Sequence, residues 1–265
     1  MTDRFAEGSF TRKEKIGKGA FGEVVVASCG SKEFALKQVR VPVESAGFSR
    51  DVSDEASIQM SFNHPNIAKC VNARYNSNGT EFLMFVELAH YGDLHRFVKK
   101  CDFVDRKTAM LFFNRIVSGL QAVHSKGYAH RDIKPHNILL FETKEAKIAD
   151  FGSAKPMNRE NMVDRYGGTI YYQPPEINDN DDLIDGIAWD LWGAAMVYVF
   201  CLLGRHPWGE SDFADPQYTA FQQGDFQKLV KMDERWLRTE QDFGYLRQLM
   251  HHDPGTRIRP RCYVS

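Results

Sequence analysis

Eight consecutive residues, His130-Arg131-Asp132-Ile133-Lys134-Pro135-His136-Asn137, bring two basic side chains, a carboxylate, a lysine and an amide together. That is too polar for a core strand, yet apolar chain flanks it, Met110 to Val123 before and Ile138-Leu139-Leu140-Phe141 after. A polar loop gripped between a buried helix and a buried strand is where a scaffold holds reactive groups still. A second stretch suited to chemistry is Gly17-Lys18-Gly19-Ala20-Phe21-Gly22. A G-x-G-x-x-G either opens a helix in a dinucleotide-binding unit or joins two strands over the phosphates of a nucleotide. The residues that follow it, Glu23-Val24-Val25-Val26, make a poor helix start and a good strand. A glycine-rich hairpin without a ligand is the plain alternative. Lys37 ends the apolar run Phe34-Ala35-Leu36, fifteen positions after Gly22, where it is well placed to reach phosphates. An isolated strand lysine is otherwise a solvated edge residue.

The elements that must position these groups follow from periodicity. Phe10 to Ile16, Glu23 to Ser28 and Glu33 to Arg40 carry the alternating, β-branched character of half-buried strands. A helix is expected from Phe48 to Phe62, with Ser53 or Asp54 as its cap and Ile58 and Phe62 on one apolar face. Glu55 lies early on it, either easing the helix dipole or forming an ion pair with Lys37. Ala68 to Tyr75 and Glu81 to Glu87, joined by Asn76-Ser77-Asn78-Gly79, complete a five-stranded antiparallel sheet with one helix. Leu88-Ala89-His90-Tyr91-Gly92 reads as a linker. Beyond it the composition turns helical: a short helix near Asp93 to Lys100, then a long one with Met110, Phe113, Ile116, Val117, Leu120 and His124 on one face. The polar loop, two short strands (Ile138 to Phe141 and Ala146 to Ala149), Asp150-Phe151-Gly152, an irregular segment to Pro174-Pro175-Glu176 and a buried helix around Asp190 to Leu203 follow. The expected class is α+β: a sheet-rich lobe over 1–87, a hinge at 88–92 and a mainly helical lobe over 93–265.

Bulk properties narrow the function classes. The 265 residues carry a formal net charge of -1, so no bulk electrostatic pull toward nucleic acid or membrane is expected. Leu191 to Leu203 is the longest apolar run, shorter than the roughly 20 residues that span a bilayer. The start, Met1-Thr2-Asp3-Arg4-Phe5, has no apolar signal segment. Cys29, Cys70, Cys101, Cys201 and Cys262 are odd in number and lack a CxxC pair, as suits reduced thiols in a cytoplasmic or nuclear protein, and a monomer is expected.

Taken in order, Gly17/Gly19/Gly22, Ala35 and Lys37, Glu55, His130-Arg131-Asp132 with Asn137, Asp150-Phe151-Gly152, Pro174-Pro175-Glu176, Asp190 with Trp192 and Gly193, and Arg257 make the chain resemble a eukaryotic protein kinase catalytic domain over residues 10–260. The resemblance implies a bilobal fold that uses ATP and Mg2+ and acts on protein substrates with Ser/Thr acceptors. It implies that the Gly17, Lys18, Gly19 and Gly22 loop covers the phosphates, and that Lys37, held by Glu55, binds them. Asn137 and Asp150 would supply oxygen to the metal, Asp132 would orient the substrate hydroxyl and accept its proton, and Lys134 would neutralise the transferring phosphoryl group. For the base, the resemblance implies Glu87 C=O and Ala89 N–H on the adenine edge, Val86 as gatekeeper, and Ile16, Val24, Ala35 and Leu139 around the ring. It also implies a buried Glu176–Arg257 ion pair and a Thr169 hydroxyl touching Asp132 and Lys134.

Asp-x-Lys-Pro-x-Asn resembles the serine/threonine rather than the tyrosine kinases. Ile58 to Asn66, with the polar Gln59 four residues after Glu55, together with Gly168 to Tyr172 and Leu203 to Trp208, resembles the checkpoint-type kinases of the calmodulin-dependent-kinase-like group. His136 departs from the family, standing where many relatives carry a glutamate that recognises basic substrate residues. Asp93 keeps an acid at another position, used for ribose or for an upstream arginine, and with it an expectation of basic-directed preference. Between Asp150 and Glu176 the hydroxyls are Ser153, Tyr166, Thr169, Tyr171 and Tyr172, which leaves no obvious Ser/Thr acceptor for activation. Catalytic competence without phosphorylation of this segment is therefore expected. Two other functions compete. A pseudokinase scaffold that binds nucleotide without turnover is opposed by the presence of Lys37, Asp132 and Asp150. A small-molecule kinase is opposed by the stretch from Gly168 to Glu176, which resembles a peptide-docking platform.

Overall fold

The computed structural model describes residues 5, 9–18, 22–41, 46–142, 145–179 and 181–260. Two compact units emerge: Met1–His90 with Ala149–Gly152, and Tyr91–Ile148 with Ser153–Ser265. Residues 149–152 thus cluster with the first unit rather than with the helical remainder to which the 93–265 span assigned them. The reason is local: Asp150 hydrogen-bonds Lys37 and Phe151 stacks on Phe62 at 5.5 Å.

In the first unit the strands are β1 (Thr11–Lys18), β2 (Gly22–Cys29), β3 (Lys32–Arg40), β4 (Cys70–Tyr75) and β5 (Glu81–Glu87), and α1 is Ala46–Met60. They form one antiparallel sheet in the order β1-β2-β3-β5-β4. Alternation along β2 and β3 sorts side chains between two faces. One face carries Val25, Ala27, Phe34, Leu36 and Phe85, capped by the buried Phe5, whose ring meets Phe34 and Phe85 at 5.4 and 4.9 Å. The other carries Val39, Phe82 and Met84 against Val52 and Ala56 of α1. The β1–β2 connection joins two paired strands, which removes the helix-opening reading of the glycine motif.

Two expectations for α1 need correction. The helix begins at Ala46, so Ser53 and Asp54 lie inside it rather than at its N-cap; the Ser53 carbonyl accepts from the Ser57 hydroxyl at 2.7 Å. Its inward residues are Val52, Glu55, Ala56 and Gln59, spaced i, i+3, i+4 and i+7, while Ile58 is only half-buried. Two of those four are polar, which hid the true face from a hydrophobicity pattern.

The second unit opens with α2 (Leu94–Cys101) and α3 (Arg106–Ser125), capped by the Asp93 and Asp105 carboxylates. Short pairings follow: β6 (Tyr128–Ala129) with β9 (Lys155–Pro156), β7 (Ile138–Glu142) with β8 (Glu145–Ile148), and β10 (Met162–Asp164) with β11 (Leu183–Asp185). Then come α4 (Gly186–Leu203), α5 (Pro216–Gln223), α6 (Phe226–Met232) and α7 (Phe243–Leu249). The helix extends four residues before Asp190 and the apolar run of Leu191 to Leu203: α4 has 18 residues, long and apolar enough to cross a membrane, yet every one is buried inside this unit. It ends at Gly204, whose φ of 74° suits a left-handed cap. Trp208 stacks on Trp236 at 6.3 Å and packs edge-on to Tyr218 at 5.3 Å, extending the core toward α5.

Candidate active site

Two clusters hold the residues singled out from the sequence, one in each unit. In the first, register puts Val24 opposite Lys37, Lys37 opposite Met84 and Ala35 opposite Val86, so these side chains share the α1 face of the sheet. Lys37 Nζ donates to Glu55 Oε1 at 2.7 Å and to Asp150 Oδ1 at 3.0 Å. Burial opposes the Lys37 charge, but Asp150 and Glu55 outweigh it and the ammonium pKa lies above the ordinary lysine value. Glu55 is pushed up, chiefly by burial, with Lys37 opposing and the Asp150 carboxylate adding to the rise. One cation is therefore shared by two carboxylates, which keeps Lys37 charged and its position fixed. Asp150 has φ 63°, a left-handed backbone rare for a non-glycine residue.

The positions expected to meet nucleotide in this unit are partly exposed. Ile16 is 36% accessible, Val24, Ala35, Val86, Glu87 and Ala89 are half-buried, Lys18 is exposed, and Gly19 lies outside the described residues. Glu87 is tied to Lys69 twice, its N–H donating to the Lys69 carbonyl at 3.0 Å and its carboxylate accepting from the Lys69 N–H at 2.8 Å. Gly22 has a reason independent of any ligand: a Cβ there would fall 1.8 Å from the Gln38 carbonyl oxygen on β3. Gln59, 1% accessible, donates to the Ala68 carbonyl at 2.8 Å and pins α1 to the segment before β4.

The second cluster is the polar loop. Asp132 Oδ2 accepts from Lys134 Nζ at 2.7 Å and from Asn137 Nδ2 at 3.0 Å, and Oδ1 accepts from the Thr169 hydroxyl at 2.7 Å. Lys134 Nζ also donates to Thr169 Oγ1 at 2.8 Å, and Asn137 Nδ2 to the Asp132 carbonyl at 2.9 Å. A carboxylate, a cation, an amide and a hydroxyl are thus locked in one hydrogen-bonded group whose members, apart from Thr169, lie between Asp132 and Asn137 in the chain. Thr169 can approach because Gly168 precedes it: a Cβ at Gly168 would lie 2.6 Å from the Arg131 carbonyl, and its φ is 74°. β7 is stapled beside the loop by Tyr91 N–H to Leu140 O at 3.1 Å, Leu140 N–H to Gly92 O at 2.9 Å and an Asp93–Leu139 bridge. Asp93's carboxylate accepts from the Arg96 N–H at 2.8 Å and pairs with the Arg96 guanidinium at 3.3 Å. The residue expected at ribose is therefore engaged as a helix cap.

Three supports surround the loop. Asp190, fully buried in α4, accepts from the N–H groups of His130 and Arg131 at 2.7 Å each and lies 2.7 Å from His124 Nε2. An acid inside a wholly apolar helix was the available signal. Arg131, at φ 65°, sends its guanidinium to the Ser153 carbonyl (2.9 Å) and to the carbonyl and carboxylate of Asp164 (2.8 Å each). Nothing in the sequence marked Asp164. The third is His95, whose ring lies 4.0 Å from that of His136. Glu176 and Arg257 form the implied buried pair, at 2.7 and 2.5 Å, with the guanidinium over Trp192.

A family model described as "Protein kinase domain" matches residues 10–263. The chain belongs to the protein kinase domain family. This kinase domain is 29% identical over 263 residues to "Serine/threonine-protein kinase grp" of Drosophila melanogaster, an alignment covering 97% of the chain and 50% of the fly protein. It is 30% identical over 251 residues to "Aurora kinase A-A" of Xenopus laevis (92% of the chain, 58% of that protein). Over 179 residues it is 35% identical to "Serine/threonine-protein kinase CHK1" of Mycosarcoma maydis (66% of the chain, 26% of that protein). The chain spans about half the length of the first two relatives. Membership of this family implies use of ATP and a divalent metal.

Proposed function

We propose that this chain transfers the γ-phosphate of ATP to serine or threonine hydroxyls of protein substrates, with magnesium as the metal. The observation that carries the reading is the bridge of Lys134 between Asp132 and the Thr169 hydroxyl, which holds a proton acceptor and a cation side by side. Asp132 accepts the proton of the incoming hydroxyl and orients it; Lys134 meets the charge that develops on the phosphoryl oxygens. Lys37, kept cationic by Glu55 and Asp150, binds the α- and β-phosphates. Asn137 commits its amide nitrogen to Asp132, so its carbonyl oxygen, like the Asp150 carboxylate, is a hard donor of the kind magnesium takes. Bound magnesium supplies neutralisation of phosphate charge. Ile16, Val24, Ala35 and Val86 are the proposed contacts of the first unit to the base, with Glu87 and Ala89 on its polar edge. Serine/threonine specificity rests on the Lys134 position and on the printed names of the fly and Mycosarcoma relatives.

The reading extends to a checkpoint-type role in a cytoplasmic or nuclear setting, supported by the resemblance of Ile58 to Asn66 and by CHK1 among the relatives. It also extends to turnover without phosphorylation of the segment before Glu176. The Arg131 guanidinium there is already paired with Asp164, and Tyr172 is buried. The test is transfer from labelled ATP to a generic serine/threonine substrate by wild type, Asp132→Asn and Asp150→Asn, each treated with phosphatase. Wild type should label the substrate and both variants should not. Equal labelling by all three, or none by the wild type, refutes the proposal.

A further inference from the structure

The sheet of the first unit is a single layer, so each of its faces must be covered by something else in the chain. Along β3 and β5 the side chains alternate: Ala35, Lys37, Met84 and Val86 face α1, while Phe34, Leu36, Leu83 and Phe85 face the other way. That outer face is closed by Phe5, itself only 6% accessible. Its ring meets Phe34 edge-on at 5.4 Å and Phe85 at 4.9 Å, and Phe10 packs edge-on against the same Phe85 at 5.1 Å. From β4 the Arg74 guanidinium donates through Nε to the Phe5 carbonyl at 2.9 Å and through Nη1 to the Tyr75 carbonyl at 3.1 Å. One residue thus touches β3, β5 and β4, which are neighbours in the sheet.

The place of contact gives Phe5 its consequence. Phe34 pairs with Glu87 in the last rung of the β3–β5 ladder, and Ala35 pairs with Val86 in the rung before it. Phe85 directly precedes Val86. Ala35, Val86 and Glu87, three of the residues proposed to meet the base, therefore sit on the two rungs that Phe5 backs from the outer face. Ladder ends are where paired strands open first. The front of these rungs is thinly covered, since Ala35 offers one methyl group and all three residues are half-buried. The bonds of Glu87 to Lys69 run toward β4, so they do not close the rung with β3. An aromatic ring supplies a large apolar area in a fixed geometry, and this one spans both strands.

We propose that Phe5 is a positioning residue for the nucleotide base: from behind the sheet it fixes the last two β3–β5 rungs, and with them Ala35, Val86 and Glu87. It touches no substrate and takes no part in transfer. Lys37 lies two rungs further along the ladder, where Glu55 and Asp150 hold it independently of Phe5. Loss of Phe5 therefore loosens the grip on the base and leaves the phosphoryl chemistry in place. A contact made equally in the ground state and the transition state shows in KM rather than in kcat.

The inference rests on the proposed protein-kinase activity, and its test separates the two. Phe5→Ala should raise KM for ATP about fivefold, with kcat and KM for the peptide substrate within about twofold of wild type. Amide hydrogen exchange should quicken at residues 34–36 and 85–87 and stay unchanged in α4. Phe5→Leu, which refills the same space, should return KM for ATP to within about twofold of wild type. Arg74→Gln leaves the rings in place and releases the Phe5 carbonyl. It should raise KM for ATP less than Phe5→Ala does, with the double variant no worse than Phe5→Ala alone. Arg74→Gln also decides the matter if Phe5→Ala does not fold. An unchanged KM for ATP in Phe5→Ala and Arg74→Gln, a kcat that falls in step with it, or a Phe5→Leu as impaired as Phe5→Ala overturns the inference and leaves the kinase reading intact. If the wild type transfers no phosphate, affinity for ADP is measured by calorimetry instead. A loss of about fivefold in Phe5→Ala then upholds the inference without the kinase reading, and equal affinity, or no ADP binding by the wild type, overturns it.

Discussion

Asp190→Asn keeps the shape of the side chain and removes its charge, and it tests whether one buried carboxylate holds the whole polar loop. Asp190 Oδ1 accepts from the Arg131 N–H, and Oδ2 accepts from the His130 N–H and from His124, all at 2.7 Å in a fully buried setting. In the variant the amide oxygen can keep the first bond. The NH2 group then faces two donors where Oδ2 faced them. A hydrogen bond to a charged partner contributes roughly 1.5–3 kcal/mol, so two of them amount to about 3–6 kcal/mol. His124 can shift its proton to the other ring nitrogen and accept from the new NH2, which recovers one bond and leaves a net loss of about 2–4 kcal/mol. At about 2–4 °C per kcal/mol for a chain of this size, the melting temperature should fall by roughly 5–15 °C. Hydrogen exchange at the His130 and Arg131 amides should lose protection first, and kcat should fall because Asp132 follows directly on these residues. A variant within 1 kcal/mol of wild type, with both amides still protected, would show that the loop is held by something other than Asp190.

Asp164→Ala leaves the buried Arg131 guanidinium, among the described residues, with the carbonyls of Ser153 and Asp164 as acceptors; because the Asp164 side chain is 43% exposed, a stability loss of no more than about 1–2 kcal/mol is expected. kcat should drop more than KM for ATP, since Thr169 follows on the same segment; an unchanged kcat counts against the pairing as an organiser. Arg257→Ala strands Glu176, both partners being under 6% accessible, and should cost about 3–5 kcal/mol by denaturant titration. Asp233 is held at about 2 by Arg235 and Arg205 despite opposing desolvation. A lowered folded value contributes stability above the unfolded pKa and loses it as pH falls from about 4 toward 2, here about 1–2 kcal/mol after allowance for solvent screening. Asp233→Asn should flatten that part of the acid-unfolding profile. Glu55, pushed up by burial, takes a proton at higher pH than an ordinary glutamate. Its contribution to folding is present below the unfolded value and declines as pH rises, whereas protonation releases Lys37, so activity should fall on the acid side while stability does not. Replacing Glu55 with Gln should remove that acid limb.

Much of the fold was legible because local signals agreed with the global arrangement. Val24-Val25-Val26 could only be a strand, Asn76 to Thr80 only a turn, and the apolar spacing from Met110 to His124 only a helix. The site positions were legible in another way: the resemblance of their motifs to the protein kinases singled out Lys37, Asp132, Lys134, Asn137 and Asp150. Less was visible where polar residues face inward: α1 turns Glu55 and Gln59 toward the interior, and hydrophobic periodicity pointed to Ile58 instead. Tertiary structure alone decided which groups meet. No local pattern says that Asp164 neutralises Arg131 thirty-three residues away, that Asp190 fastens a loop sixty residues before it, or that Asp93 spends its carboxylate on a helix cap. It also decided that His136 leans on His95 rather than standing alone. Spacing along a chain specifies what chemistry is available, whereas charge pairing and ring stacking act over a few ångströms of space and depend on which distant segments the fold brings together.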